Sequence, residues 1–359
     1  MSSFETARSI SIIINNYNYA KYLTACIQSA LDQSHPAYEI IVVDDGSSDE
    51  SLEIIQQFAP QVRLISQKNQ GQAAAMNHGF AASHGELIVF LDADDCLRRD
   101  AVEHITQNWQ SGTAKLQYPL QVINKIGQAL GQIPADAAQL PTGDLLPTLL
   151  DKGTYNWMPT SGNAFARETL EKIMPIPAEQ FRISADLYLS IRSVRYGAVQ
   201  SAAKALGQYR LHGMNAFASN HMLAPDEKTY ASRIVSHINR HLLLKEEAAK
   251  SNYALPTDAR CYYTTFYAWI DITLSLRLFG EESIIPYRKE EIATGVRERT
   301  KRQFSKPHQK WKSLVIRFVF CYLLHCPHIL LKPSLAVGRR LEPMLFAQIQ
   351  KRYQARSIA

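Results

Sequence analysis

No stretch of this sequence stays apolar for the roughly 20 residues that a membrane-spanning helix needs. The apolar segment from Trp311 to Leu324 is interrupted by Lys312 and Arg317 and stopped by His325 and Pro327, so it is too broken to span. At the N-terminus, Ser9 to Ile14 is too short for the core of a signal peptide and leads straight into polar Asn15-Asn16-Tyr17-Asn18. Export is therefore not expected. Cysteine is sparse: Cys26, Cys96, Cys261, Cys321 and Cys326 are odd in number and widely scattered. They have neither the paired spacing of a zinc site nor that of a disulfide framework, and reduced thiols in a cytoplasmic setting fit best. No internal repeat is present.

What the chain does have is the make-up of a folded protein, with 46% hydrophobic and 20% charged residues over 359 positions. Its net charge of +6 is unevenly spread. From Arg297 onward 14 Lys or Arg stand against two Glu, which leaves the remainder of the chain net acidic. An acidic body with a basic tail suggests contact with a polyanion, nucleic acid or an anionic membrane face; solvated helix faces would give the same pattern.

The first half alternates short β-branched runs with helical patterns, as βαβ units do. Strands are expected at Ser9–Ile14, Ile40–Val43, Val62–Ile65 and Leu87–Leu91, and helices at Ala20–Asp32, after a Ser48 or Asp49 cap, and at Gln72–Ser83. From Ile123 to Tyr155 periodicity fades, which predicts a long irregular connection. Signals resume at Arg167–Ile173, Asp186–Tyr196 and Gly207–Leu211, and beyond Met222 the chain reads as helical, most strongly at Tyr262–Phe279. The expected division is a catalytic α/β domain over 1–220 and a helical, basic region over 221–359.

In open α/β sheets, ligands sit at the carboxyl ends of the strands. Here those ends carry Asn15 to Asn18, Asp44-Asp45-Gly46-Ser47 and Asp92-Ala93-Asp94-Asp95. Carboxylates at alternate positions suit a hard divalent cation and the diphosphate oxygens it binds, although Asp94 or Asp95 would also serve as a helix cap. Three adjacent acids raise one another's pKa unless a cation is present, which favours the metal reading. Asp44 to Ser47 fits an ordinary turn as well as a carboxylate receiving a base or ribose hydroxyl. Tyr17 fits a half-buried core residue as well as a stacking platform.

Taken together, four segments resemble the family 2 glycosyltransferases with the GT-A fold. They are Ser11 to Asn18, Glu39 to Asp49, Gly71 to Gly79 and Gly85 to Asp95, in register over about 85 residues. The resemblance implies a GT-A, Rossmann-like, mostly parallel central sheet flanked by helices, with a helical C-terminal extension. It also implies that Tyr17 stacks on the donor base, Asp45 hydrogen-bonds it, Asn15 lies against it and Asp92 lies nearer the ribose. Asp94 would carry a divalent cation, Mn²⁺ or Mg²⁺. Met76 stands where the family often has Arg before Asn77, so no phosphate contact is assigned there.

Downstream, Ser184 to Arg192 resembles the segment that supplies the family's catalytic base, with Asp186 at the base position and Ala185 in place of the usual preceding acid. A helix N-terminal acid is the other reading of Asp186, and the two are compatible. Gln208 to Asn215 resembles the family's YRxHxxN segment, whose histidine, here His212, lies near the metal and diphosphate. The implied reaction is inverting transfer of a sugar from a nucleoside diphosphate, UDP-linked, to a hydroxyl of a saccharide or lipid-linked saccharide in cell-surface polysaccharide synthesis. Nucleic acid is then not an expected partner. The tail is expected to act as an interfacial helix at the inner face of the membrane or as a helical layer on the catalytic domain. A sugar nucleotidyltransferase is excluded, because Asn15 to Tyr19 contains no glycine for a phosphate loop. A catalytically inactive module of the same fold is opposed by the intact acids and His212.

Overall fold

The computed structural model describes residues 8–212 and 227–254. Two compact units divide the chain, Met1–His212 and Gly213–Ala359. The first opens with β1 (Ile10–Asn16), α1 (Ala20–Leu31), β2 (Glu39–Asp44), α2 (Ser51–Gln56), β3 (Arg63–Ser66), α3 (Gln72–Ala82) and β4 (Leu87–Asp92). The strands β1, β2 and β4 are buried along nearly their whole length, which is why their sequences are continuous β-branched runs. Then come β5 (Cys96–Leu97), α4 (Ala101–Asn108), β6 (Thr113–Gln117), β7 (Leu120–Asn124), β8 (Ala129–Ile133), α5 (Leu146–Lys152) and β9 (Asn163–Ala166). The unit closes with α6 (Arg167–Ile173), α7 (Ala185–Ser193), β10 (Ala198–Ser201) and β11 (Gly207–Leu211).

Seven strands form the main sheet in the order β10-β6-β9-β4-β1-β2-β3, parallel throughout except for β9. A second sheet runs β5-β11-β7-β8. On one face of the main sheet, Ile12, Ile14, Val42, Val89 and Leu91 form a core with Leu23 and Ile27 of α1 and Ile105 of α4. Against the other face lies α3, whose small residues let it come close: a Cβ at Gly79 would stand 2.3 Å from Ile13 Cγ2.

Register decides where the chemistry collects. Asn15 lies opposite Val43 on one side and Asp92 on the other, and Asn16 lies opposite Asp44. The three polar strand ends therefore share one rim.

Two expectations are corrected. The segment from Ile123 to Tyr155 is not one irregular connection, because it contains the end of β7, all of β8 and α5. β8 shows no alternation, since Ala129, Leu130 and Gly131 are exposed and pairing with β7 holds the strand in place of burial. The cap expected from Ser48 or Asp49 is also different. The Asp49 carboxylate accepts from Ser51 N at 3.1 Å and from Ala20 N at 3.0 Å, tying the first residues of α2 and α1 together.

Among described residues of the second unit, α8 (Glu227–Lys250) buries His241, Leu243, Leu244, Glu247 and Ala248. The expected helical segments at 262–279 and 311–324, and the basic tail, lie outside the described residues.

Candidate active site

At the β1 and β2 ends, short polar side chains lace two turns together. Asn16 Nδ2 donates to Asp44 Oδ1 at 2.8 Å and to Ser47 Oγ at 3.1 Å, while Asn18 Oδ1 accepts from Ser48 N at 2.8 Å. Asp44 is thus a turn-forming residue, as its sequence setting suggests. Asp45 is buried, and its carboxylate accepts from Gln67 Nε2 at 2.7 Å, Gln70 N at 2.8 Å and Gly71 N at 2.7 Å. It holds the loop between β3 and α3, and with about four acceptor positions on a carboxylate it retains one for a ligand. Tyr17 is 46% exposed beside this rim. Asn15 is buried, and neither its Nδ2 nor its Oδ1 has a hydrogen-bond partner. A buried amide left in that state is costly unless a ligand completes it.

The acid turn after β4 assigns a different duty to each carboxylate. Asp95 is spent on the fold, accepting from Arg210 N at 2.9 Å, and is not a helix cap. Arg210 is itself buried, donating from Nε to Asp94 O at 2.8 Å and lying over the Tyr22 ring. Asp94 Oδ2 meets His212 Nε2 at 2.8 Å, and the His212 ring packs near Tyr19 and Tyr22. Asp92 accepts from Gln72 Nε2 at 3.1 Å. Withdrawal from water, and then the charges of Asp94 and Asp186, push the Asp92 carboxyl up to about 7.

Asp186 stands in the first turn of α7 and is half-buried. Burial raises its pKa above the ordinary carboxylate range, outweighing backbone hydrogen bonds and the positive charge of Lys115. α7 is placed by Gln72. Its Oε1 accepts from Ala185 N at 3.1 Å while its Nε2 reaches Asp92 and, at 3.3 Å, Thr160 Oγ1. One amide therefore spans the end of β4 and the start of the helix that bears Asp186. The preceding residue, Ser184, has φ 68° and makes no side-chain cap, so Gln72 does that work. Gly71 must be glycine, having φ 91° and Arg182 Cγ only 2.3 Å from where a Cβ would stand.

A divalent cation can be tested against these donors. Among the described residues no three His, Cys, Asp or Glu side chains are grouped as a complete metal site. The Asp94 and His212 pair supplies one oxygen and one nitrogen donor at a turn crowded with acids. The carboxylate of that pair fits a hard divalent cation such as Mg²⁺ or Mn²⁺, and two protein donors would leave most of its coordination positions open.

Gln72, Thr160, Arg210 and Lys115 escape a reading of the sequence. Gln72 lies in a segment that resembles the family but carries no assigned role, Thr160 lies in a plain loop, and only the fold shows what faces Asp92. Arg210 is the arginine of the segment that resembles YRxHxxN, but no role is assigned to it there. Asn77, in a segment that resembles the family, is structural: its amide exchanges hydrogen bonds with the backbone of Ile176 at 2.8 Å in both directions.

A mixed sheet flanked by helices, whose strand ends gather acids, a histidine and an unpartnered amide on one rim, is the architecture of an α/β enzyme. The family model for Glycosyl transferase family 2 matches residues 11–129. An uncharacterized glycosyltransferase of Nostoc sp. is 39% identical over 221 residues, 60% of this chain and 67% of that protein. The glycosyltransferase GlyG of Streptococcus pneumoniae is 40% identical over 109 residues, 29% of this chain and 36% of that one. The chondroitin synthase of Escherichia coli is 44% identical over 97 residues, 26% of this chain and 14% of that one. Among solved structures, TarS of S. aureus in complex with UDP is similar over 92% of this chain and 91% of that chain, with 15% identity and a TM-score of 0.48. The chain belongs to the family 2 glycosyltransferases and is a transferase.

Proposed function

We propose that this enzyme transfers a sugar from a nucleoside diphosphate, UDP-linked, to a hydroxyl of a saccharide or lipid-linked saccharide, with inversion at the anomeric carbon. The observation that supports the reading is the Gln72 bridge, which links Asp92 at the end of β4 to the backbone of Ala185, the residue before Asp186. Asn15, Tyr17, Asp45 and Asp92 hold the donor nucleotide, and the unpartnered Asn15 amide is the group most in need of one. Asp94 and His212 hold Mn²⁺ or Mg²⁺, which when bound neutralises charge developing on the departing diphosphate.

The acceptor oxygen forms a bond to the anomeric carbon as the bond from that carbon to the diphosphate oxygen breaks. The acceptor proton passes to the Asp186 carboxylate, whose raised pKa suits a general base. Attack from the face opposite the diphosphate gives inversion in one displacement, with no covalent sugar–enzyme intermediate. The chondroitin synthase among the relatives supports a role in polysaccharide synthesis.

No helix among the described residues is long and apolar enough to cross a membrane. The proposed setting is the cytoplasm, with the basic tail at the inner membrane face. Flotation with anionic liposomes should fall when the chain is ended at Glu298; equal flotation contradicts the tail's role. The donor reading is tested by thermal shift with a panel of nucleoside-diphosphate sugars, with and without Mn²⁺. A fitting donor at a hundred times its Kd should add about 2.7 kcal/mol, and a panel without any stabilising member would refute it.

A further inference from the structure

One buried charge has no place in the reaction just described. Lys115, on β6, is 0% exposed. Its neighbours in the sheet are Phe165 of β9 and Val199 of β10, neither of which can pair with an ammonium group. Its Nζ donates to Tyr155 Oη at 3.0 Å and lies 5.0 Å from the centroid of that ring. Tyr155 Oη in turn donates to Ser190 O at 2.8 Å. Ser190 lies four residues, one helical turn, beyond Asp186 on α7. Among the described residues Lys115 has no ion-pair partner. A fully buried lysine without a carboxylate in contact is costly to keep, so its retention calls for a reason.

We propose that Lys115 is a positioning residue acting through Asp186: anchored by Tyr155 against the turn of α7 that follows the one carrying the base, it supplies the positive charge that keeps the base carboxylate ionised. The inference rests on the reading of Asp186 as the general base.

Other ionisable groups around Asp186 are Asp92 from β4 and Tyr209 from β11, and around Lys115 they are Tyr155 and Asp186 itself. Of these, Lys115 alone brings positive charge to Asp186. Burial lowers the Lys115 pKa to about 7, and Asp186 works against that lowering. As pH falls through 7 the amine therefore takes up its proton. From there downward its charge opposes protonation of Asp186, in the range where burial would otherwise favour the neutral acid. Above about pH 7 the amine is neutral, and its removal should matter little to charge.

The test is a titration of the Asp186 carboxyl by difference infrared spectroscopy, with its band identified as the one that Asp186→Asn removes. Lys115→Met keeps the volume and removes the charge. Its Asp186 midpoint should rise, by up to about one pH unit, the order of magnitude for loss of one screened unit charge. Tyr155→Phe, which removes the hydroxyl that fixes the amine, should shift the midpoint the same way by less. Hydrolysis of the nucleoside-diphosphate sugar giving the largest thermal shift supplies a second readout. The acid limb of the Lys115→Met profile should move upward by the same amount, and the two profiles should meet above pH 7. An unmoved midpoint in both folded variants, or a loss of turnover equal at every pH, overturns the proposal and marks Lys115 as structural. If Asp186→Asn keeps full turnover, the general-base reading fails instead, and the infrared midpoint still reports whether the two charges are coupled.

Discussion

Replacing Gln72 with alanine removes an amide that touches three groups. It deletes the 3.1 Å donation to Asp92, the 3.3 Å donation to Thr160 and the 3.1 Å acceptance from Ala185 N. A hydrogen bond to a charged group contributes about 1.5–3 kcal/mol and a neutral one about 1 kcal/mol. Gln72 is only half-buried, so water takes over part of this. A loss of about 2 kcal/mol in the transition state is a reasonable expectation, or roughly 30-fold in turnover. Stability should fall separately by about 1 kcal/mol, because the first N–H of α7 loses its acceptor.

Gln72→Glu separates the two effects. Its carboxylate can still accept from Ala185 N, so the melting temperature should recover, but it places a like charge beside Asp92 and turnover should not. Turnover and melting temperature measured side by side decide the matter. Wild-type turnover in Gln72→Ala, or recovery of both properties in Gln72→Glu, would refute the idea that this side chain sets the two halves of the site.

Gly79→Ala should destabilise by about 1–3 kcal/mol through overpacking, since its Cβ would meet Ile13 Cγ2 at 2.3 Å and Val43 Cγ2 at 3.1 Å; an unchanged thermal unfolding curve would contradict that packing. Chelation with EDTA should abolish donor turnover and Mn²⁺ should restore it. Asp94→Asn and His212→Ala should each need more Mn²⁺ for half-maximal activity, and full activity in EDTA would exclude the cation.

Much of the fold is legible in the sequence because burial on both faces writes continuous β-branched runs. Ile10–Asn16, Glu39–Asp44 and Leu87–Asp92 lie within a residue or two of the expected spans. Helix α6 and strand β11 have the expected boundaries, because their signals are local. β6 and β8 are not legible, for opposite reasons. β6 is buried on both faces yet carries Lys115 and Gln117, both 0% exposed, so it lacks the continuous apolar run of the other buried strands, while β8 is mostly exposed and held by its neighbour.

The site shows the same division. Convergence of the strand ends follows from topology, so Asn15, Asp45, Asp92 and Asp94 are found on one rim as expected. Several of the site's contacts depend on chain more than a hundred residues away. The Asp94–His212 contact, the Asp95–Arg210 bond and the Gln72 link to Ala185 all have that character. Motif resemblance can name such residues, but it assigns no duty to Gln72, and Lys115 and Tyr155 lie outside any motif; what all three do becomes visible only with coordinates.

The central claim is that donor binding and proton removal are separate duties in one site, with Asp186 reserved for the second. It is tested most directly by measuring, on Asp186→Asn, the Kd for UDP with Mn²⁺ by calorimetry and the rate of donor turnover on the same preparation. Nucleotide affinity should stay within about threefold of wild type while turnover falls by roughly a hundredfold to ten-thousandfold. Undiminished turnover, or loss of nucleotide binding in step with it, would contradict the account.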